Sequence, residues 1–275
     1  MKQLVVVWIA LGTLSLPVVV RLHAQGGNGQ TVEGGVSFIN PGTPLVPDAE
    51  ANSKPIPRLP DGKVDLTGPW VGGGTIADIE RDGGLKPGEL PLLPWAKELR
   101  DKRKSQDDPY TICLPMSVLR TNPYPWKFAN SYTSKGLTHI YILHELMDAG
   151  AHRVVYMDGR SHPDDLLPTW LGHSIGRWDG DTLVVDTVGF NDKFWFDRQG
   201  TPHTEKLHTI ERWQRTNMGT LINTVTIDDP GAFSKPFTVT FPARLAAPSD
   251  DLMENICQEN NQFGVAGGHE NPFNK

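Results

Sequence analysis

The chain has 275 residues, with 26 Lys and Arg against 32 Asp and Glu, and a formal net charge of −6. This acidic balance argues against nucleic acid as a partner, because phosphate backbones are bound through clustered Lys and Arg. The short basic run at 102–104 is typical of a solvated helix end. The 28 glycines and 23 prolines favour turns over long helices.

Residues 1–24 have the layout of a cleaved secretory signal. Lys2 precedes the apolar run 4–20, and Ala24 provides a small residue at the expected cleavage point. A retained membrane anchor is the alternative, but a run of about 17 residues lies at the lower limit for spanning a bilayer, and Pro17 favours cleavage. We therefore expect a periplasmic or secreted protein with no stable membrane insertion.

Cys113 and Cys257 are the two cysteines of the chain. An exported chain enters an oxidising compartment, where an even number of cysteines favours pairing. The bond would close a loop of roughly 140 residues, for which loop entropy gives about 5 kcal/mol at most. Two buried free thiols are the alternative.

The chain divides into an irregular start, a β-rich domain and an irregular tail. Residues 25–60 are rich in Gly, Pro, Asn and Ser, which predicts a flexible linker. A single β-rich domain is expected over 61–258, with a loose tail over 259–275. Within the domain, apolar spacing after a proline predicts one helix over 93–106, and four prolines predict an ordered loop over 109–128.

Short alternating runs separated by turn residues predict consecutive hairpins. Asp179-Gly180 suits a type I′ turn, and Gly68-x-Trp70 is similar to the start of the first strand in lipocalin-like barrels. The fold class is therefore mainly β, an antiparallel meander forming a barrel or strongly curved sheet (lipocalin-like), with one N-terminal helix. The predicted strands are 139–146, 152–157, 173–178, 181–187, 207–214, 221–227 and 236–241.

Four of the nine histidines fall between His162 and Glu211, beside carboxylates. Imidazoles act as acids and bases near neutral pH when a carboxylate orients them. We expect His162, His173 and His208 to supply the acid–base or ligand groups of a catalytic site, with Asp165 or Glu211 orienting one of them.

Basic and aromatic side chains near these histidines suit substrate binding. Arg160 and Arg177 are expected to bind an anionic group. Trp178 would line a pocket, and Trp195, within Phe-Trp-Phe at 194–196, would belong to a lid. His144 falls on the apolar face of its strand, where it is either a structural histidine or a site residue that projects into the barrel.

No cofactor is firmly implied, although a divalent metal is possible. His203, Glu205 and His208 are the candidate ligand set, but their spacing matches no strong zinc signature. The oxygens of Asp179, Asp181, Asn191, Asp192 and Asp197 are a weaker candidate for calcium. The sequence has no CxxC and no phosphate-binding loop.

Four motifs resemble those of a widespread family of exported bacterial proteins. They are Pro57–Lys63, Asp158–Pro163, Ser174–Thr187 and Glu254–Asn261. The resemblance covers most of the chain from residue 57 onward. It implies an exported single-domain protein, and it assigns neither an activity nor catalytic residues.

Two functions fit these observations. The first is an exported enzyme with a site at an open barrel end, which catalyses hydrolysis, elimination or hydration of a sugar-derived or other small molecule. The second is a non-catalytic, lipocalin-like protein that binds a small molecule among its aromatic side chains. An envelope interaction module that uses the strand-rich surface is a third reading.

Overall fold

The structure is a computed structural model that describes residues 43–120, 124–145, 152–249, 251–254 and residue 257. The predicted signal, the first part of the predicted linker and the predicted tail lie outside these residues. Within them, the chain forms three short α-helices, two 3₁₀ turns and nine strands.

The elements follow one another with few long connections. The helices are α1 (Asp48–Ser53), α2 (Ile79–Asp82) and α3 (Pro94–Lys102). The strands are β1 (Trp70–Gly72), β2 (Trp126–Thr133), β3 (Gly136–His144), β4 (His152–Tyr156), β5 (His173–Asp179), β6 (Thr182–Val188), β7 (His208–Asn217), β8 (Thr220–Asp228) and β9 (Phe237–Leu245).

The nine strands close into one barrel in chain order, with β1 paired to β9. Mainly-β architecture and a barrel are thus confirmed. Eight of the nine pairings are antiparallel, and β4 pairs with β5 in parallel through Val155 and Tyr156. A parallel pair needs a crossover connection, and residues 157–172 supply it. This crossover carries His162 to the outside of the barrel wall.

Alternation of side chains along each strand builds the core. In β8, every second residue from Leu221 to Ile227 is buried. The rings of Trp126, Phe128 and Trp213 contact one another at 5.1–5.5 Å between centroids and fill part of the interior. Packing of this kind stabilises through apolar area removed from water, at about 25 cal/mol per Å².

Trp70 lies at the end of the barrel that carries the β7–β8 turn. Its ring is fully buried beneath the guanidinium of Arg215, 5.0 Å from the ring centroid, and its indole N–H donates to the Leu66 carbonyl at 2.7 Å. Arg215 in turn donates to the carbonyls of Met218 and Asp65. The Gly-x-Trp tripeptide therefore helps to pack one end of the barrel.

The structure differs from the sequence predictions in three elements. Residues 43–60, predicted as linker, contain α1, and Ala51 of this helix is buried. The helix predicted over 93–106 ends at Lys102. Strand β2 occupies the end of the segment predicted as a loop, because the prolines of that segment stop before Trp126 and leave its backbone free to pair with β3.

The β5–β6 turn also differs in detail. Asp179 pairs with Thr182, so the two central turn residues are Gly180 and Asp181. Gly180 has a φ of 60°, whereas Asp181 has no positive φ. A type I′ turn needs positive φ at both positions, so the type I′ prediction is wrong, and the turn has glycine at its first central position instead.

Cys113 and Cys257 form a disulfide with a Cα–Cα distance of 5.7 Å and a sequence separation of 144 residues. The pairing prediction is therefore confirmed, and the bond ties the segment beyond β9 to the segment that precedes β2. Among the described residues, no helix combines the length and the apolar character that a membrane crossing requires.

Candidate functional site

The predicted histidines meet on the outer wall of the barrel, near the end where β5 and β7 begin. His173 opens β5, and His208 opens β7. Between these two strands runs β6, whose Asp186 pairs with Ile175 and Ile210. Because residues two apart share one face of a strand, Asp186 points outward with His173 and His208. His162 reaches the same place from the 157–172 crossover.

These four side chains form one hydrogen-bonded chain, which we call the histidine cluster. The two Nδ1 atoms of His162 and His173 lie 2.8 Å apart. His162 Nε2 lies 3.2 Å from Asp186 Oδ1, and His208 Nε2 lies 2.7 Å from the same oxygen. The cluster is partly open to solvent, with side-chain exposures of 19% for His162, 26% for Asp186 and 36% for His208.

The carboxylate determines where the protons lie when all three imidazoles are neutral. Asp186 only accepts, so His162 and His208 each donate an Nε2 proton to it. His162 Nδ1 is then unprotonated and accepts from His173 Nδ1–H. This assignment leaves lone pairs on His173 Nε2 and His208 Nδ1, which no hydrogen bond from the described residues occupies. Two basic nitrogens are therefore available.

Several groups hold His173 in an uncharged state. Burial lowers the pKa of His173 from its ordinary value of 6.5, and the neighbouring His162 and Arg160 lower it further. The His173 ring stacks on Tyr156 at 5.0 Å, and the Arg160 guanidinium lies over Tyr156 at 4.0 Å. His173 is accordingly a neutral proton acceptor at neutral pH.

The orienting carboxylate is Asp186, which the sequence analysis missed. Glu211 lies inside the barrel, with a fully buried side chain, and Asp165 is exposed in the crossover. Glu211 is three residues beyond His208, and an odd separation places two strand residues on opposite faces. The predicted roles of Glu211 and Asp165 in orienting a histidine are therefore not supported by their positions.

Behind the histidine cluster, the inner face of the same strands carries a buried polar network. Arg153 forms an ion pair with Glu211. It also donates from Nε to Ser174 Oγ at 2.9 Å and from a terminal nitrogen to Thr187 Oγ1 at 2.6 Å. Several interior atoms have no hydrogen-bond partner among the described residues, including Glu211 Oε1, Thr209 Oγ1, Asn223 Oδ1 and Trp213 Nε1.

His144 projects into this interior. Burial and the positive charge of Arg153 lower the pKa of His144 to about 3. Its ring lies 6.1 Å from that of Trp126, and its Nδ1 has no hydrogen-bond partner among the described residues. An imidazole with this pKa is neutral throughout the working pH range, so it is unsuited to acid–base exchange near neutrality.

The predicted substrate-binding residues are dispersed. Arg160 lies beside the cluster but is paired with Asp158 at 2.5 Å. Arg177 is exposed, and none of the described hydrogen bonds or ion pairs joins it to the cluster. Trp178 faces the barrel core. Trp195 is buried, as are Phe194 and Phe196, so the predicted lid is part of the core.

The predicted metal ligands do not converge. Both ring nitrogens of the buried His203 lie against backbone carbonyls, those of Phe194 and Thr204, and burial lowers its pKa to about 4. Glu205 is exposed, and His208 is bound to Asp186. Across the part of the chain that the structure describes, no three His, Cys, Asp or Glu side chains are placed to hold a metal ion.

Three of the four carboxylates considered for calcium are held by other groups. Asp179 pairs with Arg212 at 2.8 Å, and Asp181 pairs with Arg58 at 2.7 Å. Asp197 is buried and accepts from the backbone N–H of Ile79 at 2.8 Å. These carboxylates therefore fix turns and loops.

Comparison of the chain with protein-family models, with curated proteins and with solved structures gave no match. The resemblance of its motifs to a family of exported bacterial proteins stays a prediction. The geometry of the histidine cluster is therefore the basis for the functional argument.

Proposed function

We propose that the protein is an exported enzyme in which the histidine cluster performs general acid–base catalysis on a small molecule. The observation that carries the proposal is the continuous chain from His173 through His162 to Asp186 and His208 on a partly open surface. In the neutral cluster, His173 Nε2 and His208 Nδ1 keep lone pairs that no hydrogen bond from the described residues occupies.

The cluster can take up a proton and spread the resulting charge. A proton accepted at His173 Nε2 makes that ring cationic, and its Nδ1–H strengthens its bond to His162. The negative charge of Asp186, one imidazole away, stabilises the cation. His208 offers a second nitrogen beside the same carboxylate, so one ring can remove a proton while the other, once protonated, returns one.

This chemistry suits hydrolysis, elimination or hydration, because each of these reactions moves one proton off a substrate or water and another onto a leaving or forming group. We propose a sugar-derived or other small molecule as substrate. Arg160 is placed beside His173 to exchange its contact with Asp158 for an anionic group on that substrate.

Export is part of the proposal. The N-terminal signal predicted over 1–24 supports it, and so does the Cys113–Cys257 disulfide, since such bonds persist in oxidising compartments. A periplasmic or secreted enzyme would meet its substrate outside the cytoplasm.

A lipocalin-like binding protein is the second candidate, and one observation favours it. The interior atoms Glu211 Oε1, Thr209 Oγ1, Asn223 Oδ1 and Trp213 Nε1 are buried without partners among the described residues. Buried polar groups are normally satisfied, so a small polar ligand or ordered water inside the barrel would suit them. This candidate would be favoured if the protein binds a small polar ligand without turnover and if Asn223→Ala weakens that binding.

The enzyme proposal is tested by screening the mature, disulfide-bonded protein against saccharide, ester and unsaturated sugar libraries. His162→Ala should lower turnover by about a hundredfold or more, the usual contribution of a positioned acid–base group. His152→Ala is the matched control, because His152 is exposed on β4, and it should keep turnover within about twofold. Undiminished turnover in His162→Ala would remove this residue from the mechanism.

The pH profile of the active protein should show His173 as the base. Because the pKa of His173 is lowered, the acidic limb of kcat/KM should lie below pH 6.5. Arg160→Gln removes one cause of that lowering, so the pKa rises and the limb moves to higher pH. Arg212→Gln, a change at the exposed pair with Asp179, should leave the limb in place. If the acidic limb stays at the same pH in Arg160→Gln, the assignment of His173 as the base is contradicted.

A further inference from the structure

A large cleft lies between the C-terminal half of α3 and two loops, and it shares no residue with the histidine cluster. Its volume is about 980 Å³. The two loops contribute residues 77–78 and 198–199 to its lining. Its charged lining consists of Arg100, Arg103, Lys104 and Arg198 together with Asp78 and Asp101.

The two acids of the cleft already have partners. Asp78 caps α2 through the backbone N–H groups of Glu80 and Arg81, and it accepts from Arg100 at 3.1 Å. Asp101 pairs with Lys97 at 2.7 Å. Arg100 also lies 4.0 Å from the buried Asp197. Four cations against two acids still give the lining an excess of positive charge, within a chain whose formal net charge is −6.

Two of the arginines are held in place before any ligand arrives. The Arg100 side chain is only 16% exposed and is fixed by Asp78. Arg103 donates to the Gly200 carbonyl at 2.8 Å, and its guanidinium lies 4.8 Å from the centroid of the Trp195 ring. Cations fixed in this way lose little conformational entropy when an anion binds.

The other two cations, Lys104 and Arg198, stand at the exposed rim. Among the described contacts, neither side chain forms an ion pair. Basic residues in the last turn of a helix also complement its dipole, which would account for Arg100. That effect does not account for Arg198, which comes from a separate loop and faces the same space.

We propose that this cleft binds a small organic anion that carries two or more phosphate or carboxylate groups. Guanidinium groups bind both kinds of group in a bidentate way. Arg100 and Arg103 would hold one anionic group at the floor, and Lys104 and Arg198 would hold a second at the rim. A site that spans floor and rim favours polyanions over a single small anion.

Calorimetric titration of the mature chain at low ionic strength tests the proposal, with pyrophosphate and citrate as probes and glycerol as the uncharged comparison. Binding of pyrophosphate alone would assign a phosphate site, and binding of citrate alone a carboxylate site. Either affinity should fall as salt is added. Failure of both anions to bind, or equal binding of glycerol, would overturn the proposal.

The double variant Lys104→Gln/Arg198→Gln should weaken probe binding by about tenfold or more. Both residues are exposed, so the fold should survive, which thermal unfolding checks. Lys135→Gln/Lys235→Gln is the matched control, because it removes two exposed charges from residues that do not line the cleft. Equal loss in the control would show that net charge alone attracts the anions, and the site would be rejected.

Discussion

Arg153→Met is expected to destabilise the barrel by about 3–5 kcal/mol, the usual result of removing one member of a buried ion pair. Arg153 and Glu211 have side chains that are 3% and 0% exposed. Without Arg153, the carboxylate of Glu211 is left in the barrel interior with no compensating charge. The variant also loses the donors to Ser174 and Thr187. Urea unfolding with the disulfide intact measures the loss.

A second substitution separates this cause from a general packing defect. The double variant Arg153→Met/Glu211→Leu removes both charges and should recover most of the stability. If Arg153→Met alone lowers the free energy of unfolding by less than about 1 kcal/mol, Arg153 and Glu211 are not a buried ion pair of this kind.

The fold was largely predictable because its signals are local. Alternation of apolar residues and short turns rich in Asp and Gly predicted the hairpins of β3–β4, β5–β6 and β7–β8. Closure of the barrel depends on β1 pairing with β9, across more than half the chain. Strand β2 was not predicted, because prolines precede Trp126 closely and because Asn130 and Ser131 weaken its alternation.

The candidate site was predictable in part. The convergence of His162, His173 and His208 follows from consecutive strands that bring their ends together, and the structure places them in one chain of hydrogen bonds. Asp186 was missed because it sits within the valine-rich strand β6, where nothing in the local sequence marks it as a site residue. Counting residues along β7 would have excluded Glu211, because its separation from His208 is odd.

The position of the cluster also differs from expectation. The histidines were expected at an open barrel mouth, but alternation places them on the outer wall. The inner face of the same strands holds the Arg153–Glu211 pair. The pairing register of each strand decides which of its side chains face inward and which face outward. The parallel β4–β5 pairing has no local signature in the sequence, yet it requires the crossover that carries His162.

Asp186→Asn is expected to lower kcat by about 10²–10⁴-fold, once a substrate is known, while KM changes little. The amide has no charge to stabilise a cationic imidazole, and its NH₂ group competes with the N–H donors of His162 and His208. The result expected is loss of proton transfer in a folded protein, so the thermal unfolding temperature should stay close to that of the parent.

Asp181→Asn is the matched control for Asp186→Asn. Asp181 lies in the turn just before β6, and among the described residues its ion-pair partner is the exposed Arg58. It should keep kcat within about twofold. Asp186→Glu retains the charge but lengthens the side chain, so it should restore part of the rate lost in Asp186→Asn. If the folded Asp186→Asn protein turns over substrate as fast as the Asp181→Asn control, the carboxylate does not support the imidazoles, and the proton route through His162 fails with it.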